Sequence, residues 1–295
     1  MPGRVGDFKS DQARAHFHDL YRAAMAELPT VSESQDVSTT FGDVRAYRFG
    51  GPAERTPVML LPGRNASTPM WRGNIAHLLQ HRPVFGVDLL GEAGLSVQEK
   101  PIVGPDDEAQ WLDETVAGLG LDRVHLMGVS IGGWTAINYA VRRPGRAASL
   151  VLLDPVFTFA PIALKAVLTS PALFLPGVPT GLRRRVLSWI SGGADIDDAA
   201  TEAALISAGS TDYTLRKAMP TMITDEQLRS LDIPVLALIG GRSVMHDAER
   251  AAERARSLLV RGQVELWRDA SHAINGEYAA EIAERAADFW TRVDE

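Results

Sequence analysis

Two hydrophobic periodicities alternate along the chain. From Ser10 to Leu28, apolar residues at Ala13, Phe17, Leu20, Tyr21, Ala24, Met25 and Leu28 share one face at helical spacing. Pro29 closes that helix. Val37–Phe41 and Val44–Phe49 then alternate with period two, and Gly42-Asp43 reads as the turn of a hairpin. Short continuous apolar runs follow at Pro57–Leu61, Pro83–Leu90, Arg123–Met127, Ala148–Pro155, Ile233–Gly240 and Gln263–Trp267. Such runs suit strands covered on both faces. Helical patterns separate them: from about Pro69 with Trp71, Ile75, Leu78 and Leu79 inward; from Asp106 with Trp111, Leu112, Val116 and Leu119; and over Trp134–Ala140, Asp247–Val260 and Tyr278–Val293. Strands alternating with helices predict an α/β fold with a mostly parallel sheet and helices on both faces.

The alternation breaks once. Residues 156–232 carry apolar helical segments at Ile162–Leu175, Leu182–Ile190, Ala199–Ser207 and Leu215–Leu231, punctuated by prolines and without a convincing strand. This predicts a helical insertion, 156–232, in a core made of 1–155 and 233–295. The core includes the N-terminal helix at about 10–28.

Between one buried strand and the next helix stands Gly128-Val129-Ser130-Ile131-Gly132, of the form G-x-S-x-G. A strand–turn–helix setting is what a nucleophile elbow requires: the sharp turn exposes the serine hydroxyl at the edge of the sheet, near the positive end of a helix. A serine hydroxyl is a weak nucleophile and needs a base within hydrogen-bond reach.

Composition narrows the chemistry. The 295 residues contain no Cys, so disulfides, thiolate catalysis and Cys-ligated metals are excluded. A net charge of −7 without a basic stripe argues against nucleic acid. Arg183-Arg184-Arg185, the one local basic run, reads as a solvated helix turn. No run of about 18 apolar residues predicts a membrane span. The N-terminus lacks the apolar core of a signal peptide, so a cytoplasmic enzyme is expected. Four lysines among thirty basic residues fit a GC-rich bacterial genome. Of the seven histidines, His16 and His18 read as surface residues, and His125 reads as a satisfied core residue. His77 and His81 lack a visible third metal ligand.

These features together identify the chain as similar to α/β-hydrolases that carry a helical cap after the sixth core strand. Within that superfamily it resembles bacterial carboxylesterases of the Bacillus naproxen-esterase type. The resemblance rests on the elbow, the extra N-terminal helix, the segment Val37-Ser38-Thr39-Thr40-Phe41-Gly42-Asp43, and Thr224-Asp225-Glu226-Gln227-Leu228-Arg229 before the penultimate strand. It implies Ser130 as nucleophile and His272, on the loop after the last strand, as its base. It implies an oxyanion hole from the backbone N–H of Ile131 and a donor on the loop after Leu61. There Pro62-Gly63 replaces the usual His-Gly, and the donor falls by position on Arg64. The Arg64 side chain faces either the pocket, where it would favour a carboxyl-bearing substrate, or solvent.

The acid departs from the pattern. Most relatives hold Asp or Glu after the penultimate strand, where this chain has Ser243 in Gly240-Gly241-Arg242-Ser243-Val244-Met245-His246-Asp247. Two carboxylates could substitute. Asp154 ends the sixth strand, a position used by some α/β-hydrolases; Asp247 lies four residues past Ser243 and suits a helix cap. Asp154 is preferred, with Asp247 or no acid as the alternatives. Candidate pocket-lining residues are Phe157, Phe159, Ile162, Leu175 and Trp189, with Trp71 and Trp134 from the core side.

The expected function is a serine hydrolase that cleaves a small-molecule carboxylic ester through an acyl-enzyme on Ser130, with no cofactor or metal. Two other readings stay open. The same site could drive elimination, acyl transfer or cyclisation in a biosynthetic pathway, or the chain could be a non-catalytic ligand-binding relative.

Overall fold

A computed structural model of the chain describes residues 5–169, 178, 180–190 and 201–295. Eight strands form the main path of a nine-stranded sheet. In chain order they are β2 (Glu33–Thr39), β3 (Gly42–Gly50), β4 (Val58–Leu61), β5 (Val84–Val87), β7 (Val124–Val129), β8 (Ala147–Leu153), β10 (Val235–Gly240) and β11 (Gly262–Trp267). Their order across the sheet is β11-β10-β8-β7-β4-β5-β3-β2. From β11 to β5 all neighbours are parallel, while β3 and β2 join antiparallel.

Strand periodicity divides the core into two layers. Along β7 and β8, Leu126, Leu150 and Leu152 point to one face, and Met127, Val129, Val151 and Leu153 to the other. The first face is covered by α3 (Pro105–Gly118), α4 (Ile131–Arg142) and α9 (Ala248–Leu258). The second is covered by α1 (Asp11–Met25), α2 (Arg72–Leu78) and α11 (Ala279–Asp294). Every residue of β4, β5, β7, β8 and β10 is buried, which explains their unbroken apolar runs. No helix among the described residues is long and apolar enough to cross a membrane.

The hairpin differs in register from the sequence reading. Thr39 pairs with Gly42, so the turn is Thr40-Phe41 and not Gly42-Asp43. Gly42 instead opens β3 at φ +134°, where a Cβ would meet the Val97 carbonyl at 2.1 Å. That carbonyl belongs to β6 (Val97–Gln98), a two-residue strand paired with β3. Glycine serves close backbone approach here, not the reversal itself. The first hairpin strand also begins earlier, at Glu33, because an exposed edge strand tolerates the polar Glu33-Ser34-Gln35-Asp36.

Between β8 and β10 the described helices are α5 (Leu164–Thr169), α6 (Thr180–Ile190), α7 (Thr201–Asp212) and α8 (Asp225–Arg229). Two expectations for this stretch are corrected. Tyr213–Thr214 form a short strand, β9, antiparallel to β1 (Asp7–Phe8), so the segment is not wholly helical. Within Leu215–Leu231 only Asp225–Arg229 is helical, opened by a capping box between Thr224 and Gln227. The N-terminal segment clasps α7: Phe8 stacks edge-on against Tyr213 at 5.2 Å, and His16 Nδ1 lies 2.6 Å from Asp212 Oδ2.

Candidate active site

The elbow follows from what its glycines allow. A Cβ on Gly128 would lie 2.3 Å from the Gly132 carbonyl oxygen, and one on Gly132 would lie 2.1 Å from the Leu61 carbonyl oxygen. Only glycine lets α4 begin this close to the ends of β7 and β4. Ser130 sits in the turn at φ 54°, ψ −117°, a conformation an L-residue rarely adopts. It is fixed by its neighbours: its N–H donates to Leu153 O at 3.0 Å, and its carbonyl accepts from Trp134 N and Val156 N.

His272 Nε2 stands 2.9 Å from Ser130 Oγ, and His272 Nδ1 stands 2.5 Å from Asp154 Oδ2. Residues 142 and 118 positions apart in the chain thus form one continuous hydrogen-bonded line. The loop carrying His272 reaches the sheet because a Cβ on Gly240 would sit 2.6 Å from Ser271 O. Glu277, on the short helix α10 (Ile274–Glu277), ties that loop down by accepting from both Ser271 N and Ser271 Oγ.

Asp154 is wholly buried at the end of β8, with φ 43°. Gly240 N donates to its Oδ1 at 3.0 Å and Ser243 Oγ to its Oδ2 at 2.6 Å. His246 Nε2 lies 3.2 Å from Oδ1, although the ring is not aligned for a hydrogen bond. Burial pushes the Asp154 pKa up; the contacts from His246 and His272 outweigh it and hold the carboxyl below the usual carboxylate range. Asp247 lies elsewhere: it caps α9, accepting from Arg250 N at 3.0 Å.

The loop after β4 approaches the same point. A Cβ on Gly63 would lie 3.8 Å from Ser130 Cβ. Among the described residues, the N–H groups of Ile131 and Arg64 have no hydrogen-bond acceptor, whereas those of their neighbours Ser130 and Asn65 do. The Arg64 guanidinium is directed to the buried Glu92 carboxylate, 3.8 Å away, and is not free in solvent.

Of the pocket candidates, Trp71, Trp134 and Phe159 are buried. The Trp134 indole N–H donates to Thr221 O, joining α4 to the chain before α8. Phe157 and Ile162 are partly buried against the core, and Phe157 has φ 52°. The Lys165 ammonium lies 5.0 Å from the Trp189 ring centroid. Leu175 lies outside the described residues. His125 is a core residue: its Nδ1 meets Ser149 Oγ at 2.8 Å, and burial pushes its pKa down to about 2.

Sequence reasoning missed His246 and Glu277 around this site, and placed Ser243 only where an acid was expected. His246 and Ser243 both turn toward Asp154, and Glu277 anchors the His272 loop. Loop residues carry no periodicity that says which side chain turns inward.

A sheet of this order with a strained serine after a central strand defines an α/β-hydrolase. Residues 56–207 match the family described as alpha/beta hydrolase fold, and the chain belongs to that family. Among curated proteins it is similar to a Bacillus subtilis (strain 168) protein named uncharacterized carboxylesterase nap. The two are 27% identical over 281 residues, covering 93% of this chain and 92% of the relative. It is also similar to carboxylesterase YbfK of the same organism, 26% identical with 96% of each chain covered. Among solved structures, the naproxen esterase (carboxylesterase NP) from Bacillus subtilis matches with a TM-score of 0.86 and 27% identity, over 94% of this chain and 98% of that one.

Proposed function

We propose that this protein is a bacterial serine hydrolase that cleaves small-molecule carboxylic esters through an acyl-enzyme on Ser130. The observation that carries the reading is the line Ser130 Oγ–His272–Asp154, with both hydrogen bonds in place. Full-length similarity to carboxylesterases supports the ester as the substrate class.

In this reading Asp154 accepts from His272 Nδ1–H, fixing the tautomer that leaves Nε2 free as a base. Nε2 takes the Ser130 proton as Oγ attacks the ester carbonyl. The N–H groups of Ile131 and Arg64 receive the developing oxyanion, which is where two unpaired donors are useful. His272 then protonates the leaving alcohol. Water, deprotonated by the same imidazole, releases the acid and restores Ser130. Residues 156–232 serve as the cap over this site, with 1–155 and 233–295 as the catalytic core. The Trp134–Thr221 hydrogen bond supports that placement.

A panel of p-nitrophenyl esters of graded acyl length tests the reading. The wild type should release p-nitrophenol and the free acid, and Ser130→Ala should release neither above background. Turnover that survives in Ser130→Ala would rule the mechanism out. Products formed without net water addition would move the assignment to acyl transfer or elimination.

A further inference from the structure

His246 is a buried imidazole to which the mechanism above gives no part. Its side chain is 1% exposed, and its Nε2 lies 3.2 Å from Asp154 Oδ1. Among the described residues neither ring nitrogen has an aligned hydrogen-bond partner. Burying an imidazole with so little hydrogen bonding is costly, so the site has a reason other than packing to keep it.

The four groups around Asp154 suggest that reason. An ionised carboxylate offers about four acceptor positions. Oδ2 faces His272 Nδ1 and Ser243 Oγ; Oδ1 faces Gly240 N and His246 Nε2. Three of the four come from the stretch 240–246. The backbone locks that stretch in place. Met245 O accepts from Ala163 N at 2.7 Å, Arg242 N donates to Ala270 O at 2.9 Å, and Asp247 is committed to its helix cap.

We infer that His246 is a positioning residue, presenting Nε2–H to Asp154 from the side opposite His272 so that the carboxylate keeps the rotamer that faces the base. The role rests on the assignment of Ser130, His272 and Asp154 above. At 3.2 Å, Nε2 is within hydrogen-bond distance of Oδ1.

The experiment is steady-state hydrolysis of p-nitrophenyl acetate by wild type, His246→Leu, His246→Gln and Ser130→Ala, with kcat and KM separated and thermal unfolding of each. Gln carries an amide N–H at the place of Nε2; Leu carries none. His246→Leu should lose roughly tenfold in kcat with KM unchanged. His246→Gln should recover most of the lost kcat. If the leucine variant does not fold, His246→Asn, whose amide falls short of Asp154, takes its place in the comparison. Equal kcat in the Leu or Asn variant would overturn the role. So would a Gln variant as impaired as Leu. Ser130→Ala separates the two readings. Inactive Ser130→Ala with unaffected His246 variants defeats only the positioning role, whereas active Ser130→Ala defeats the catalytic assignment beneath it.

Discussion

The ends of β8 and β10 lie side by side in the sheet, and each is followed by an aspartate. At the end of β8, Asp154 is buried in a left-handed conformation and faces His272. Beyond β10, Asp247 faces its own helix and accepts from Arg250 N. The first is surrounded by groups from two separate parts of the chain, 240–246 and His272; the second is satisfied locally. A carboxylate can therefore be near the right place in sequence and yet be spent on a cap. The loop after β10 also reaches Asp154. Ser243 and Gly240 donate to the carboxylate that β8 supplies, and His246 stands against it.

The largest expected effect separates the two aspartates outright. Asp154→Asn keeps the shape but allows the wrong His272 tautomer, and kcat for p-nitrophenyl esters should fall about 10⁴-fold. Asp247→Asn should stay close to wild type, since it touches neither Ser130 nor His272. Comparable losses in both would erase the distinction.

A smaller effect lies in acid stability. The folded-state pKa of Asp154 is depressed, so its contribution is present above its unfolded value, about 3.9. It is lost as pH falls through the folded value. In that window the unfolded chain binds a proton that the folded chain does not. Urea unfolding of the wild type should lose stability with falling pH below about 4, by up to about 1.4 kcal/mol per unit more than Asp154→Asn. Parallel pH dependences would show that the carboxylate is not held ionised.

The smallest effect belongs to the cap. Asp247→Ala should cost about 1 kcal/mol of unfolding free energy, read by urea titration at pH 7, with kcat unchanged. A loss of turnover in this variant, at unchanged fold, would mean that α9 positions the loop carrying His246.

Much of this was legible in the sequence for physical reasons. Strands buried on both faces must be apolar throughout, so β4, β5, β7, β8 and β10 announce themselves. The glycines around Ser130 mark a turn that no other residue could make. The edge of the sheet was harder to read. The polar residues Glu33–Asp36 can form a strand because one face is solvent, and the two-residue strands β1, β6 and β9 are fixed only by partners distant in sequence. Spacing alone left Asp154 and Asp247 both open, because capping and orienting an imidazole call for the same side chain. The inward turn of Ser243 and His246 depends on the Ala163–Met245 and Arg242–Ala270 backbone bonds, which no local pattern encodes.

In the proposed mechanism Ser130 is the nucleophile and Asp154, not Asp247, supports its base. The rate at which a fluorophosphonate labels Ser130, followed by intact mass and located by peptide mapping, reports on both. Wild type and Asp247→Asn should label at the same rate and only at Ser130. Asp154→Asn should label orders of magnitude more slowly, and Ser130→Ala not at all. Label found on another residue, or Asp154→Asn reacting as fast as wild type, would contradict that mechanism.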